Sequence, residues 1–158
     1  RGRGVRWVRP EGMHLTLKFL GDTYPDQVDE IATTLEGILA GFKPMTIRVK
    51  GLGAFPSYRR PRVLWAGLED TSGELVRLAK AIESAMVRLG YPREDRPYSP
   101  HLTLGRVKMQ NTLVHIVNHM QSVSFDAGEF TPDKVVVMRS DLNRECAVYT
   151  PLKILPLQ

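Results

Sequence analysis

The sequence predicts an α+β fold made by internal duplication, with mainly antiparallel sheets and outer helices. Three observations carry that expectation. First, His-Leu-Thr-Leu occurs twice, at residues 14–17 and 101–104, more than half the chain apart. Second, an Arg-Pro precedes each copy at the same offset, giving RPEGMHLTL from Arg9 and RPYSPHLTL from Arg96. A tetrapeptide recurs by chance more easily than a tetrapeptide with matched flanks. Third, each copy heads an alternating stretch that is followed by a helix-periodic stretch and then by further strands.

Met13, Leu15, Leu17 and Phe19 alternate with His14, Thr16 and Lys18, which reads as a half-buried strand ended by Gly21 and Asp22. Pro25 suits the first turn of a helix with Asp22 or Thr23 near its cap, and Val28, Ile31, Leu35 and Leu39 recur at helical spacing up to Gly41. Met45, Ile47 and Val49 predict a second strand. Gly51, Gly53, Pro56 and Pro61 predict a loop, with GLGAF as a turn. RVLWAGL (62–68) predicts a third strand, and a helix is expected from Ser72 or Glu74, lined by Leu75, Leu78, Ile82, Met86 and Leu89 and closed by Gly90. A proline-rich connection from Tyr91 to Pro100 leads to the second motif strand, His101 to Val107. TLVHIVNHM predicts a short helix, and three strands follow: Val123 with Phe125, then residues 134–138, then residues 147–155.

The chain has 158 residues, enough for one globular domain or two small lobes sharing a core. Its 42% hydrophobic and 25% charged content is that of an ordinary folded protein, and no apolar run approaches the ~18 residues of a membrane span. No membrane partner is expected. Cys146 is the single cysteine, so no internal disulfide can form and a cytoplasmic location is expected. A net charge of +5, from 22 Lys+Arg against 17 Asp+Glu, favours an anionic partner. The basic residues cluster: Arg1, Arg3, Arg6 and Arg9 precede the first motif, Arg59, Arg60 and Arg62 lie in mid-chain, and Arg93 and Arg96 precede the second motif.

On a strand, residues i and i+2 share a face. Each motif thus anchors itself by its leucines and presents an imidazole beside a hydroxyl: His14 with Thr16, and His101 with Thr103. If the two presented faces line one cleft, one imidazole can take a proton from an attacking hydroxyl or water while the other protonates the departing oxygen of a phosphate ester. Histidine suits both tasks because its unperturbed pKa is about 6.5. Threonine hydroxyls can hold phosphate oxygens, and arginine can neutralise the charge that builds on them. No metal and no cofactor are required. Packing explains the leucines of both copies but not the His and Thr on the polar face.

The remaining candidates are weaker. His115 and His119 have helical i, i+4 spacing but no carboxylate between them and no third ligand, so a solvated helix face is expected. Cys146 lacks an activating pattern. Phe55, Tyr58, Arg59 and Arg60 could flank a cleft, and Trp7 and Trp65 are read as packing residues, with Trp7 a candidate for stacking on a base.

These stretches are similar to a known family. WVRPEGMHLTLKFLG, GLGAFPSYRRPRVLWAGL and PYSPHLTLGRV resemble signature segments of the two-histidine (2H) phosphoesterases, and within them of the RNA 2′,3′-cyclic phosphodiesterases, also called 2′-5′ RNA ligase-like or LigT-like proteins. The resemblance covers nearly the whole chain. It implies a single bilobal domain over residues 1–158, a pseudo-twofold duplication around a central cleft. It implies hydrolysis of RNA 2′,3′-cyclic phosphate ends to 2′-phosphates, with His14 as proton donor to the leaving 3′ oxygen and His101 as proton acceptor for water. Thr16 and Thr103 would hold phosphate oxygens, with Arg106 of HLTLGR as a further phosphate ligand. Strict alternation puts Arg106 on the leucine face, so it must act from the strand end or after a bulge. Expected partners are RNA ends or nucleotides bearing the cyclic phosphate, and the expected oligomeric state is a monomer. Family members usually carry a further strand and a helix before WVRP, so an N-terminal strand is expected to be missing here. Rival readings are a non-catalytic RNA-binding domain, or another 2H branch acting on an ADP-ribose cyclic phosphate or on RNA ends. The same acid and base run in reverse would give a 2′-5′ ligase side activity.

Overall fold

A computed structural model describes residues 4–110, 113–142 and 147–157. Cys146 lies outside them, as do Arg1 and Arg3 of the basic N-terminal run. Among the described residues the elements run β1 (Val5–Trp7), α1 (Val28–Leu39), β2 (Ile47–Phe55), β3 (Val63–Glu69), α2 (Glu74–Arg88), β4 (His101–Val107), α3 (Val114–Ser122), β5 (Asp126–Phe130), β6 (Lys134–Leu142) and β7 (Ala147–Pro156). The α+β class and the alternation of strands with helices agree with the expectation. The chain forms two compact units, and neither is a half of the sequence. One takes residues 1–16, 47–69 and 100–130; the other takes residues 17–46, 70–99 and 131–158. The duplicated order along the chain is therefore redistributed, and both HLTL motifs contribute their His and Thr to the first unit.

The first unit is a five-stranded antiparallel sheet in the order β1-β4-β3-β2-β5. Its two faces follow from the alternation of β3. Leu64, Ala66 and Leu68 are buried on one side, and Val63, Trp65 and Gly67 fall on the other. On the leucine side, Leu113 just before α3 and Met120 of α3 lie against Val5, Ala54 and Leu64, with Ile116 and Val117 packed around them. Complete burial of a side chain such as Leu64 contributes about 1.5–3 kcal/mol. Arg48 of β2 clips the edge strand, donating to Asp126 at 2.6 Å and to Glu129 at 3.1 Å.

In the second unit α1 packs against α2 and β7, and β6 pairs with β7 as a two-stranded antiparallel ribbon. Ile31, Ala32, Leu35 and Leu39 of α1 and Leu75, Leu78, Ala79, Ile82, Ala85 and Met86 of α2 are buried, as the helical spacing predicts. α2 begins at Glu74, as expected, and Asp70 prepares that start: its carboxylate accepts from the N–H groups of Ser72 and Leu75. Gly90, at φ +102, closes the helix, and the Tyr91 N–H donates to Met86 O. The side chain of Lys18, just past the first motif, is almost wholly buried and donates to Glu83 of α2 at 2.8 Å and to Pro92 O at 3.1 Å.

Three expectations need correction. The segment Met13–Phe19 does not form a strand: it makes one isolated bridge, at Leu15, and Met13 and Phe19 are exposed. GLGAF is not a turn but the second half of β2. Its glycines are there for a positive φ of +82 at Gly51, beside an irregularity in register, and for a side chain lying over Gly53. The strand expected at Val123 and Phe125 begins at Asp126, because α3 runs on to Ser122.

Candidate active site

The N-terminal chain runs along one edge of β4 in two stretches. Val5, Arg6 and Trp7 pair with Val107, Arg106 and Gly105, and the Val8 N–H donates to Leu104 O. A 3-10 turn over Pro10–Gly12 then lifts the chain away, and it returns to bridge Leu15 to Leu102. Arg-Pro-Glu-Gly is suited to that excursion, since proline at the first helical position gives up an N–H that would have no partner there. The bridge is antiparallel and joins equivalent positions of the two motifs. In its register His14 stands across from Thr103 and Thr16 across from His101, with both leucines on the other side. Both imidazoles and both hydroxyls thus project from one patch of sheet.

Arg106 joins them through a bulge. Thr103 pairs with Trp65, but Gly105 pairs with Leu64, so Leu104 is an extra residue on β4. Without it, Arg106 would lie with Leu102 on the α3-covered side. With it, Gly105 takes the core side beside Val5 and Trp7, and Arg106 pairs with Val63 on the face of Trp65 and Thr103. Of the two routes expected for Arg106, a bulge is the one the fold uses.

The imidazoles are held differently. Nδ1 of His14 donates to Gly12 O at 2.9 Å. A carbonyl only accepts, so Nδ1 carries the hydrogen in this contact and Nε2 is the ring nitrogen turned away from Gly12. The excursion before the motif thereby sets the tautomer of the first histidine. His101 lies against an aromatic wall: the Phe55 ring meets it edge-on at 5.1 Å between centroids, and Trp65 lies at 6.2 Å. Phe55 and Trp65 are themselves 5.1 Å apart. Trp65 can lie that way because Gly53 faces it; a Cβ at Gly53 would collide with the benzene half of the indole. Its Nε1 is buried without a hydrogen-bond partner among the described residues. Trp65 is a packing residue, as expected; the sequence reading did not show that it packs on Phe55 and His101. The signal was present, since Trp65, Gly53 and Phe55 take alternate positions on two adjacent strands, but it was obscured once GLGAF was read as a turn.

The other candidates sit elsewhere. Tyr58 packs on the core of the first unit and donates to Leu52 O at 2.9 Å. Arg59 and Arg60, with Pro56 and Ser57, line an open hollow of about 510 Å³. Trp7 lies on the opposite face from the histidines, over Gly105. His115 and His119 are on α3, and no group of three or more His, Cys, Asp or Glu side chains gathers among the described residues.

A model of the LigT-like phosphoesterases matches residues 1–65 and 67–149, nearly the whole chain. The chain belongs to that family. Within the LigT-like group it is 37% identical over 152 residues to an RNA 2′,3′-cyclic phosphodiesterase of Archaeoglobus fulgidus, covering 96% of this chain and 83% of that protein. The structure of TT0787 from Thermus thermophilus superposes with a TM-score of 0.84 at 28% identity, over 98% of this chain and 83% of that one. E. coli LigT complexed with 3′-AMP matches with a TM-score of 0.74 at 25% identity, over 99% of this chain and 81% of that one. No helix among the described residues is long and apolar enough to cross a membrane.

Proposed function

We propose that this LigT-like chain hydrolyses RNA 2′,3′-cyclic phosphate ends to 2′-phosphomonoesters by two-histidine acid–base catalysis. Water attacks phosphorus and gives its proton to His101. The bond from phosphorus to the 3′ oxygen breaks, and His14 protonates that oxygen. Thr16 and Thr103 donate hydrogen bonds to the two non-bridging oxygens, and the Arg106 fork balances the charge that grows on them. Each proton transfer contributes roughly 10²–10⁴-fold. The observation that carries this reading is the Leu15–Leu102 bridge, whose register sets His14 opposite Thr103 and Thr16 opposite His101. The curated relatives named RNA 2′,3′-cyclic phosphodiesterase support the substrate class. None of the five groups invoked needs a metal to act.

The test is to supply a short RNA ending in a 2′,3′-cyclic phosphate with a chelator present and to identify the product. A 2′-phosphate is expected. A 3′-phosphate, or activity lost to the chelator, contradicts the proposal. A non-catalytic RNA-binding domain would bind the RNA without turnover, and His14→Ala and His101→Ala would leave that binding intact. A 5′-hydroxyl in place of water would give the 2′-5′ linkage of the ligase direction, measured in the same assay as a joined product.

A further inference from the structure

Arg6 on β1 pairs directly with Arg106 on β4, and both are exposed. Directly opposed residues of an antiparallel pair share a face. Arg6 therefore points to the side that carries Arg106, Thr103 and His101, and it lies along the same edge of β4 as His14 and Thr16. Two planar guanidinium forks are thus set side by side on one face, and such forks suit phosphate oxygens. The reacting phosphate does not need both arginines. A cyclic phosphodiester carries one negative charge and two non-bridging oxygens. Thr16, Thr103 and the two-pronged Arg106 fork already supply four donors to that pair of oxygens.

Resting on the reading above, we infer that Arg6 forms a second anion subsite, which takes the phosphate on the 5′ side of the nucleotide whose cyclic end is hydrolysed. An RNA end always offers that phosphate and a free nucleoside 2′,3′-cyclic monophosphate lacks it. Arg6 thus makes the site one for RNA ends over mononucleotides, using backbone charge and no base contact. The sequence shows Arg6 only as one of several basic residues before the first motif; its register against Arg106 singles it out.

The test compares two product analogues that differ by one anion, a nucleoside 2′-monophosphate and the matching 2′,5′-bisphosphate, by calorimetric titration. Wild type is expected to bind the bisphosphate about 10–100-fold more tightly, the range for a hydrogen bond to a charged group. In Arg6→Gln the ratio should fall to near one, and Arg6→Lys should keep part of it, because charge survives without the fork. The bisphosphate's salt dependence should also lose about one unit of slope in Arg6→Gln. A wild-type ratio near one, an unchanged ratio in Arg6→Gln, or an equal loss for both ligands would overturn the inference. Kinetics with a nucleoside cyclic phosphate, with and without a 5′-phosphate, separate it from the catalytic proposal. A bisphosphate preference without turnover of either substrate would sink the proposed function and leave the subsite standing.

Discussion

Leu15 and Leu102, equivalent residues of the two HLTL motifs, are antiparallel bridge partners. Because the partners are equivalent, the register brings each histidine opposite the other motif's threonine. His14→Ala and His101→Ala should each lower kcat by roughly 10²–10⁴-fold. Groups that act as a unit are not additive, so the double variant should fall by less than the product of the single losses. Single-turnover rates on a cyclic-phosphate RNA check this, with thermal melts confirming that the variants fold.

Arg106 reaches the site face only through the bulge at Leu104. It is exposed, so Arg106→Gln should change stability by no more than about 0.5 kcal/mol. The same variant should reduce kcat/KM by about 10–100-fold, the worth of a hydrogen bond to a charged group. Paired denaturation and kinetic measurements separate the two effects.

On the proposed mechanism, Phe55 and Trp65, which pack against His101, act through it as positioning residues. Phe55→Leu removes an edge-to-face contact worth about 0.5–1.5 kcal/mol, so kcat should fall about 2–10-fold with little change in KM. A matching rise in KM would place Phe55 on the substrate instead. Gly53→Ala forces the indole off the β2 backbone, costing about 1–3 kcal/mol of stability as overpacking. It should lower kcat in the same sense.

Lys18 and Glu83 make stability pH-dependent in the second unit. Partial burial on its own would raise the Glu83 carboxyl, but hydrogen bonds from Lys18 and the Glu94 N–H, with the charges of Lys18 and Arg93, hold it below the usual carboxylate range. A depressed folded-state pKa stabilises above the unfolded value of about 4.3 and loses that contribution as pH falls through the folded value. Lys18→Met should cost up to about 3 kcal/mol at neutral pH, the lower end for a buried pair because Glu83 keeps some contact with solvent. The gap from wild type should shrink below about pH 4 as Glu83 protonates. Urea midpoints at neutral and acid pH measure it.

Much of the candidate site's geometry was legible in the sequence because it depends on period two and on repetition. The faces of His14, Thr16, His101 and Thr103 follow from alternation alone, as do the buried stripes of α1 and α2 from helical spacing. Long-range features were not legible. Alternation cannot show where a bulge falls, so Arg106 could be placed only once Gly105 was seen opposite Leu64. Glycines that make room for a neighbouring strand's indole look like turn glycines until the strands are paired, which concealed Gly53, Trp65 and Phe55. The first motif was read as a full strand because its alternation is regular, yet the Arg9–Met13 excursion leaves it only the Leu15 bridge.

The most direct test is a crystal structure with a nucleoside 2′-phosphate bound. One phosphate should lie within hydrogen-bond reach of Nε2 of His14 and of the His101 ring, with Thr16 and Thr103 on its oxygens. A phosphate touching only one imidazole, or settled instead among Arg59 and Arg60, would contradict the account.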